Sequence, residues 1–128
     1  MTKVLIVEDN EMNRDMLQRR LERKGYDTVC AISGPEGIQL AESAQPDIIL
    51  MDVALGEMDG WEATAQILSK DRTRHIPVIA LTAHALESDR RKSVAVGCVD
   101  FETKPVSLPD LIAKIERHVA KPAGQAVN

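Results

Sequence analysis

The sequence predicts one α/β domain built on a doubly wound, five-stranded parallel sheet with helices on both faces. Three observations lead there. Short aliphatic runs alternate strictly with longer amphipathic segments, which demands crossover connections and helices on both sides of a sheet. The first run, Val4–Val7, is apolar throughout instead of alternating, as in a strand covered on both faces. The chain has 128 residues for five such units, whereas a closed barrel of eight takes about 250.

Val4–Val7 is the first strand. Asn10 is placed to cap a helix over about Glu11–Lys24, with Met12, Met16, Leu17 and Leu21 along one side, and Gly25 stops it. Thr28–Ala31 is the second strand. Ser33-Gly34-Pro35 opens a helix to about Ala44, and Pro46 punctuates its end. Ile48–Met51 is the third strand, followed by an acidic, Gly-containing loop and a helix from Gly60 to Ser69. Pro77 precedes the fourth strand, Val78–Leu81. The next helix, Glu87–Val96, has no apolar residue from Glu87 to Ser93, so little burial holds that half down. Gly97 ends it, and Val99–Glu102 is the fifth strand. Ser107 caps a last helix with Leu108, Leu111, Ile112, Ile115 and Val119 at helical spacing. The domain is expected to span residues 1–121, with 122–128 as a loose tail.

Composition narrows the class. Apolar residues make up 44 % but aromatics only 2 %, namely Tyr26, Trp61 and Phe101, so the core is aliphatic. A net charge of −4 argues against general nucleic-acid binding, which needs clustered positive charge. Cys30 and Cys98 form no CxxC and have no histidine at metal spacing, so they read as small buried or half-buried side chains in a reducing compartment. No apolar run approaches the roughly 18 residues needed to span a membrane. The first one, from Val4, meets Glu8 too soon for a signal peptide. The protein is expected to be cytoplasmic.

In an open α/β sheet, ligands bind beyond the carboxyl ends of the strands. Strand one ends in Glu8-Asp9, strand three in Asp52, strand four in Thr82, and strand five runs into Lys104-Pro105. Three carboxylates, a hydroxyl and an ammonium therefore gather at one sheet edge. Taken singly, each has a plainer role: Glu8 and Asp9 as acids at a helix start, Asp52 as a turn acid, Thr82 as a cap or turn hydroxyl, Lys104 as a surface lysine. Together they suit phosphoryl transfer. Unpaired carboxylates repel and raise each other's pKa, and a hard divalent cation such as Mg²⁺ removes that repulsion. A carboxylate can attack phosphorus to give an acyl phosphate, and the rest of the chemistry is positioning and charge neutralisation.

Four motifs carry a family resemblance: Val4-Leu5-Ile6-Val7-Glu8-Asp9-Asn10; Ile49-Leu50-Met51-Asp52 through Met58-Asp59-Gly60; Ile79-Ala80-Leu81-Thr82-Ala83; and Phe101-Glu102-Thr103-Lys104-Pro105. In this order and spacing, over about residues 2 to 120, the chain resembles the receiver domain of two-component response regulators, of the stand-alone chemotaxis type. The resemblance implies a flavodoxin-like sheet of order 2-1-3-4-5. It implies Asp52 as phosphoacceptor. It implies Mg²⁺ held by Asp9, Asp52 and the Ala54 carbonyl, with Glu8 acting through water. Thr82, Ala83 and Lys104 would bind the phosphoryl group, Thr82 and Phe101 would form the switch, and the bond to Pro105 would be cis.

The departures are also specific. Glu8 replaces the commoner aspartate, and Gly56 stands where proline is frequent. Phe101 lacks a tyrosine hydroxyl, and Ala54 leaves the position beside the phosphate apolar. His84, two residues past Thr82, reads either as a tuner of dephosphorylation or as a rim histidine without a role. His75 and His118 read as surface residues, and Trp61 either as a partner contact or as packing over a helix end.

The implied mechanism is a switch. A phosphohistidine on a histidine kinase or phosphotransfer protein donates to Asp52, and the new charge biases a two-state element. The chain would catalyse only its own phosphorylation and dephosphorylation. The sparsely anchored helix Glu87–Val96 is the candidate element. With no output domain after Lys121, the signal would leave through protein contact, from a monomer or a phosphorylation-sensitive dimer, or pass onward in a relay. Three other classes compete. An aspartyl phosphohydrolase would want a second Asp where Ala54 stands. A flavin or nucleotide module would want a phosphate loop where Glu8-Asp9-Asn10-Glu11 stands. A receiver that binds partners without phosphorylation would not need the complete site.

Overall fold

The structure is a computed structural model and describes residues 1–83 and 86–119. His84 and the expected tail therefore lie outside the described residues. Strands and helices alternate through the chain: β1 (Lys3–Val7), α1 (Glu11–Arg23), β2 (Asp27–Ala31), α2 (Gly34–Ala44), β3 (Ile48–Asp52), α3 (Gly60–Ser69), β4 (Val78–Thr82), α4 (Glu87–Val96), β5 (Asp100–Thr103) and α5 (Leu108–His118). The sheet is parallel with the order β2-β1-β3-β4-β5. This is the expected doubly wound sheet.

The period of two along each strand divides the core. Leu5, Val7, Ile49, Met51 and Val78 pack on one face with Ile38, Ala41, Ala63 and Ile67 from α2 and α3. Val4, Ile6, Ile48, Leu50, Ile79 and Leu81 pack on the other with Leu17, Leu21, Leu111 and Ile115 from α1 and α5. β1, β3 and β4, covered on both faces, have no polar side to show, hence their apolar runs, whereas the edge strands β2 and β5 are less buried and carry polar residues. Among the described residues, neither core includes a residue of α4, whose one buried side chain is Ser93.

Capping sets where the helices begin. Asn10 accepts from the Asn13 N–H at 2.9 Å, Ser33 from the Glu36 N–H at 3.2 Å, and Asp59 from the Glu62 N–H at 2.8 Å. Gly97 closes α4 with φ 105° and Gly25 follows α1 with φ 93°, conformations that favour glycine.

Three expectations need correction. Met12 is 82 % exposed and Met16 only partly covered, so α1 buries the narrower stripe of Leu17 and Leu21. Ser107 occupies the α5 cap position without a side-chain hydrogen bond; Pro109 and Asp110 in the first turn and the apolar face carry that helix. Val119, the C-cap of α5, packs on the same core as Leu111 and Ile115, as its spacing predicts. His118 is no simple surface residue either, since its Nε2 is 3.1 Å from Asp100 Oδ2.

Gly60 positions the site directly. A Cβ there would strike the Asp52 carbonyl oxygen and come within 2.7 Å of Val53 Cα, while Gly60 N–H bonds to the Val53 carbonyl at 3.1 Å. The start of α3 is thereby pressed against the backbone of the β3 end. Gly60→Ala is expected to cost about 2 kcal/mol or more in denaturant unfolding, because rigid backbone must give way. Gly56→Ala, with nothing within 4 Å, is expected to stay within about 0.5 kcal/mol of the parent.

Candidate functional site

The parallel order sets the ends of β1 and β3 side by side and places β4 between β3 and β5. Every strand except β2, which ends in Ala31, delivers a polar residue at or just beyond its end to the same edge. Glu8 and Asp52 are buried, at 1 % and 3 % exposure, while Asp9 is exposed. Adjacent residues at a strand end face opposite ways, so one acid of the pair turns inward and the other towards solvent. One carboxylate oxygen from each of Glu8, Asp9 and Asp52 lies within 4.8 Å of the other two.

Lys104 reaches this group from the end of β5. Its Nζ is 2.8 Å from Glu8 Oε1 and 3.0 Å from Asp52 Oδ2. Its backbone N–H bonds to the Thr82 carbonyl at 2.7 Å, and the Lys104–Pro105 bond is cis. Burial alone would lower the Lys104 pKa, but hydrogen bonds from the ammonium to Glu8 and Asp52, and the charges of both, raise it. The ammonium is therefore firmly charged. Glu8 is pushed up to about 7, first by burial and then by its hydrogen bond with Asp52, against the opposing pull of Lys104. Two buried carboxylates share one cation, and burial beside Asp52 favours the neutral form of Glu8.

The plainer roles are present as well. Asp52 Oδ1 accepts from the Ala54 N–H at 3.0 Å, a turn contact that orients the carboxylate and leaves Oδ2 towards Lys104. Glu8 Oε2 accepts from the Asn10 N–H at 3.2 Å, next to the helix start. These contacts fix the acids in place and do not exhaust their oxygens. Lys104 is not an ordinary surface lysine, since its side chain is 22 % exposed and bound to two acids. Thr82 is buried at the end of β4; Ala54 and Ala83 are exposed at the rim.

Around the centre, Phe101 on β5 is half-buried. The Arg90 guanidinium lies 5.7 Å from its ring centroid and Lys114 Nζ 6.0 Å away. Lys114 also donates to the Phe101 carbonyl at 2.8 Å and to Glu102 at 2.7 Å, which ties α5 to β5. Sequence reasoning did not single out Arg14, whose Nη1 donates to the Glu8 carbonyl at 3.0 Å. Its signal was its place on the first turn of α1, one turn beyond the Asn10 cap. Trp61 does more than cover a helix end: its indole N–H donates to Ser93 on α4 at 3.2 Å. Cys30 and Cys98 are both free and half-buried, and burial raises both thiols, Cys98 to about 11.

This arrangement suits a hard divalent cation. The donors are carboxylate oxygens, one from each acid lies within 4.8 Å of the other two, and the local charge is short of positive partners. The buried Asp52 carboxylate has a charged ammonium beside it, 3.0 Å from its Oδ2. No helix among the described residues is long and apolar enough to cross a membrane.

Comparison with known proteins gives the family. A family model described as the response regulator receiver domain matches residues 4–116. The polar-differentiation response regulator DivK of Brucella ovis is 42 % identical over 120 residues, covering 93 % of this chain and 98 % of that protein. Among solved structures, the chemotaxis protein CheY4 of Vibrio cholerae superposes with a TM-score of 0.88 at 28 % identity, over 93 % of this chain and 99 % of that one. The receiver domain of sensor histidine kinase PA1611 from Pseudomonas aeruginosa, with a magnesium ion coordinated in its active-site cleft, gives 0.85 at 34 % identity, over 91 % and 96 %. With its five-stranded order, its strand-end acids and a match across nearly its whole length, the chain belongs to the response regulator receiver domain family, whose members act by phosphorylation in phosphorelay signalling.

Proposed function

We propose that this chain is a Mg²⁺-dependent phosphorylation switch with Asp52 as phosphoacceptor. The observation that carries the reading is the Lys104 ammonium held between Asp52 and Glu8, inside a cluster of three carboxylates. Asp52 Oδ1 is engaged by the Ala54 N–H, so Oδ2, the oxygen facing Lys104, is the one best placed to attack. The phosphoryl group arrives from a phosphohistidine on a histidine kinase or phosphotransfer protein. Asp52 forms the new P–O bond, the P–N bond to the donor breaks, and the imidazole leaves. Lys104 then neutralises one oxygen of the acyl phosphate, and Thr82 and the Ala83 backbone bind the others.

Asp9 and Asp52 would hold Mg²⁺ with the Ala54 carbonyl, and Glu8 through water. The ion supplies the positive charge that neutralises the acids and the incoming phosphate oxygens. Phosphorylation withdraws Lys104 from its share in Glu8 and draws Thr82 towards the phosphate. Phe101 beneath α4 then follows, and the α4 face carries the changed state to a downstream protein. The same face would serve a phosphorylation-sensitive dimer. The chain modifies itself and turns over no other substrate.

Intact-mass analysis with acetyl phosphate tests the reading. One added phosphoryl group is expected with Mg²⁺; none is expected without it, or in Asp52→Asn. An adduct of equal extent in Asp52→Asn would overturn the assignment. Lys104→Ala is expected to slow labelling by about tenfold or more, as for loss of a charged group that stabilises the transition state.

Glu8 adds a pH dependence. Its folded pKa of about 7 lies above its ordinary 4.5, so the folded metal-free protein holds a proton there that the unfolded chain releases. Its contribution to the stability of the metal-free protein therefore falls as pH rises from about 4.5 through 7. Mg²⁺ must displace that proton. Calorimetry is expected to show weaker Mg²⁺ binding below pH 7, by up to about tenfold per unit, with proton release on binding and a plateau above. Glu8→Gln is expected to flatten the profile.

A further inference from the structure

Trp61 is the first side chain of α3 after Gly60, and it is half-buried against α4. Its indole N–H donates to Ser93 Oγ at 3.2 Å, and Ser93 Oγ donates in turn to the Asp89 carbonyl at 3.0 Å. Ser93 is 2 % exposed, and its hydroxyl both donates and accepts. One residue earlier on α4, Lys92 Nζ sits 4.5 Å from the indole centroid. Further along the same face of α3, Leu68 lies where a side chain at Gly97 would reach it, within 2.7 Å of the Cβ position. α4 contributes no residue to either core cluster among the described residues, so this seam and the Arg90–Phe101 contact are main attachments of the helix.

The other end of the seam is the phosphoacceptor strand. Gly60 bears on the Asp52 carbonyl and on Val53 Cα so closely that the β3 end and the first turn of α3 form one piece. We infer that Trp61 is a latch that holds α4 in its resting position and couples it to Asp52 through Gly60, alongside the path through Thr82 and Phe101. The inference rests on the phosphorylation reading above, because it concerns what α4 does when Asp52 is modified. A latch of this kind is made of contacts that break singly: one hydrogen bond between neutral groups and one exposed cation over a ring. Releasing it frees α4 without opening either core.

Hydrogen exchange of residues 87–96 in Trp61→Phe and Ser93→Ala, measured on the full chain, tests it. Both substitutions remove the indole–hydroxyl bond; Phe leaves an aromatic ring in the seam and Ser93→Ala removes only one oxygen, and unfolding midpoints report whether each variant is folded. The expected result is exchange in α4 about five- to tenfold faster than in the parent, with the strands unchanged. Because coupling is reciprocal, beryllofluoride with Mg²⁺ is expected to bind the variants more tightly by a similar factor. Unchanged α4 exchange in both folded variants would overturn the latch. Faster exchange with unchanged beryllofluoride affinity would overturn the coupling and leave a structural clip. A parent protein that takes neither beryllofluoride nor a phosphoryl group would sink the phosphorylation reading and the coupling with it, while exchange in untreated protein would still decide the clip.

Discussion

A single ammonium shared between two buried carboxylates governs the signalling edge of this domain. Lys104 bonds to Glu8 from β1 and Asp52 from β3 while its own backbone is bonded to Thr82 on β4. Four of the five strand ends therefore meet through one residue. Such a cluster is poor as a source of stability, since burying charge costs much of what pairing returns. Its value lies in the deficit it leaves. The acids outnumber the cation, Glu8 is pushed towards neutrality, and a divalent ion or a rearranged lysine relieves the imbalance.

The sheet and its two aliphatic cores make that arrangement rigid. β3 is buried at every position, and Asp52 is its last residue. The acid is thus carried by a strand buried at every position, with Gly60 packed against its carbonyl. α4 has the opposite character: an exposed, charged helix with one buried serine. The domain pairs a stiff chemical centre with one weakly held element, which is the physical requirement for a local charge change to have a distant consequence.

The scarcity of aromatic residues gains meaning from this contrast. The cores need none. Of the three in the chain, Trp61 and Phe101 lie under α4, each facing one of its cations, Lys92 and Arg90. Rings whose faces attract cations suit a helix that must be held without being buried. The third, Tyr26, packs against the core on the α1 side.

The sequence alone determined the element order, the parallel sheet and the identity of the strand-end residues. Unbroken aliphatic runs and flanking caps are local signals, and the position after each run needs no three-dimensional knowledge. It did not determine the reach of Lys104, which joins residues 96 positions apart, nor the inward turn of Glu8 beside the exposed Asp9. Met12 and Met16 matched the helical period, yet only packing decides which apolar residues of a stripe find a partner, and α1 covers its strands with Leu17 and Leu21. His118 looked like a surface residue until the fold set Asp100 beside it. Trp61 was ambiguous for the same reason: its partner Ser93 is 32 residues away. Pairings across such distances are set by the crossovers and by strand register, and these exist only once the tertiary structure has formed.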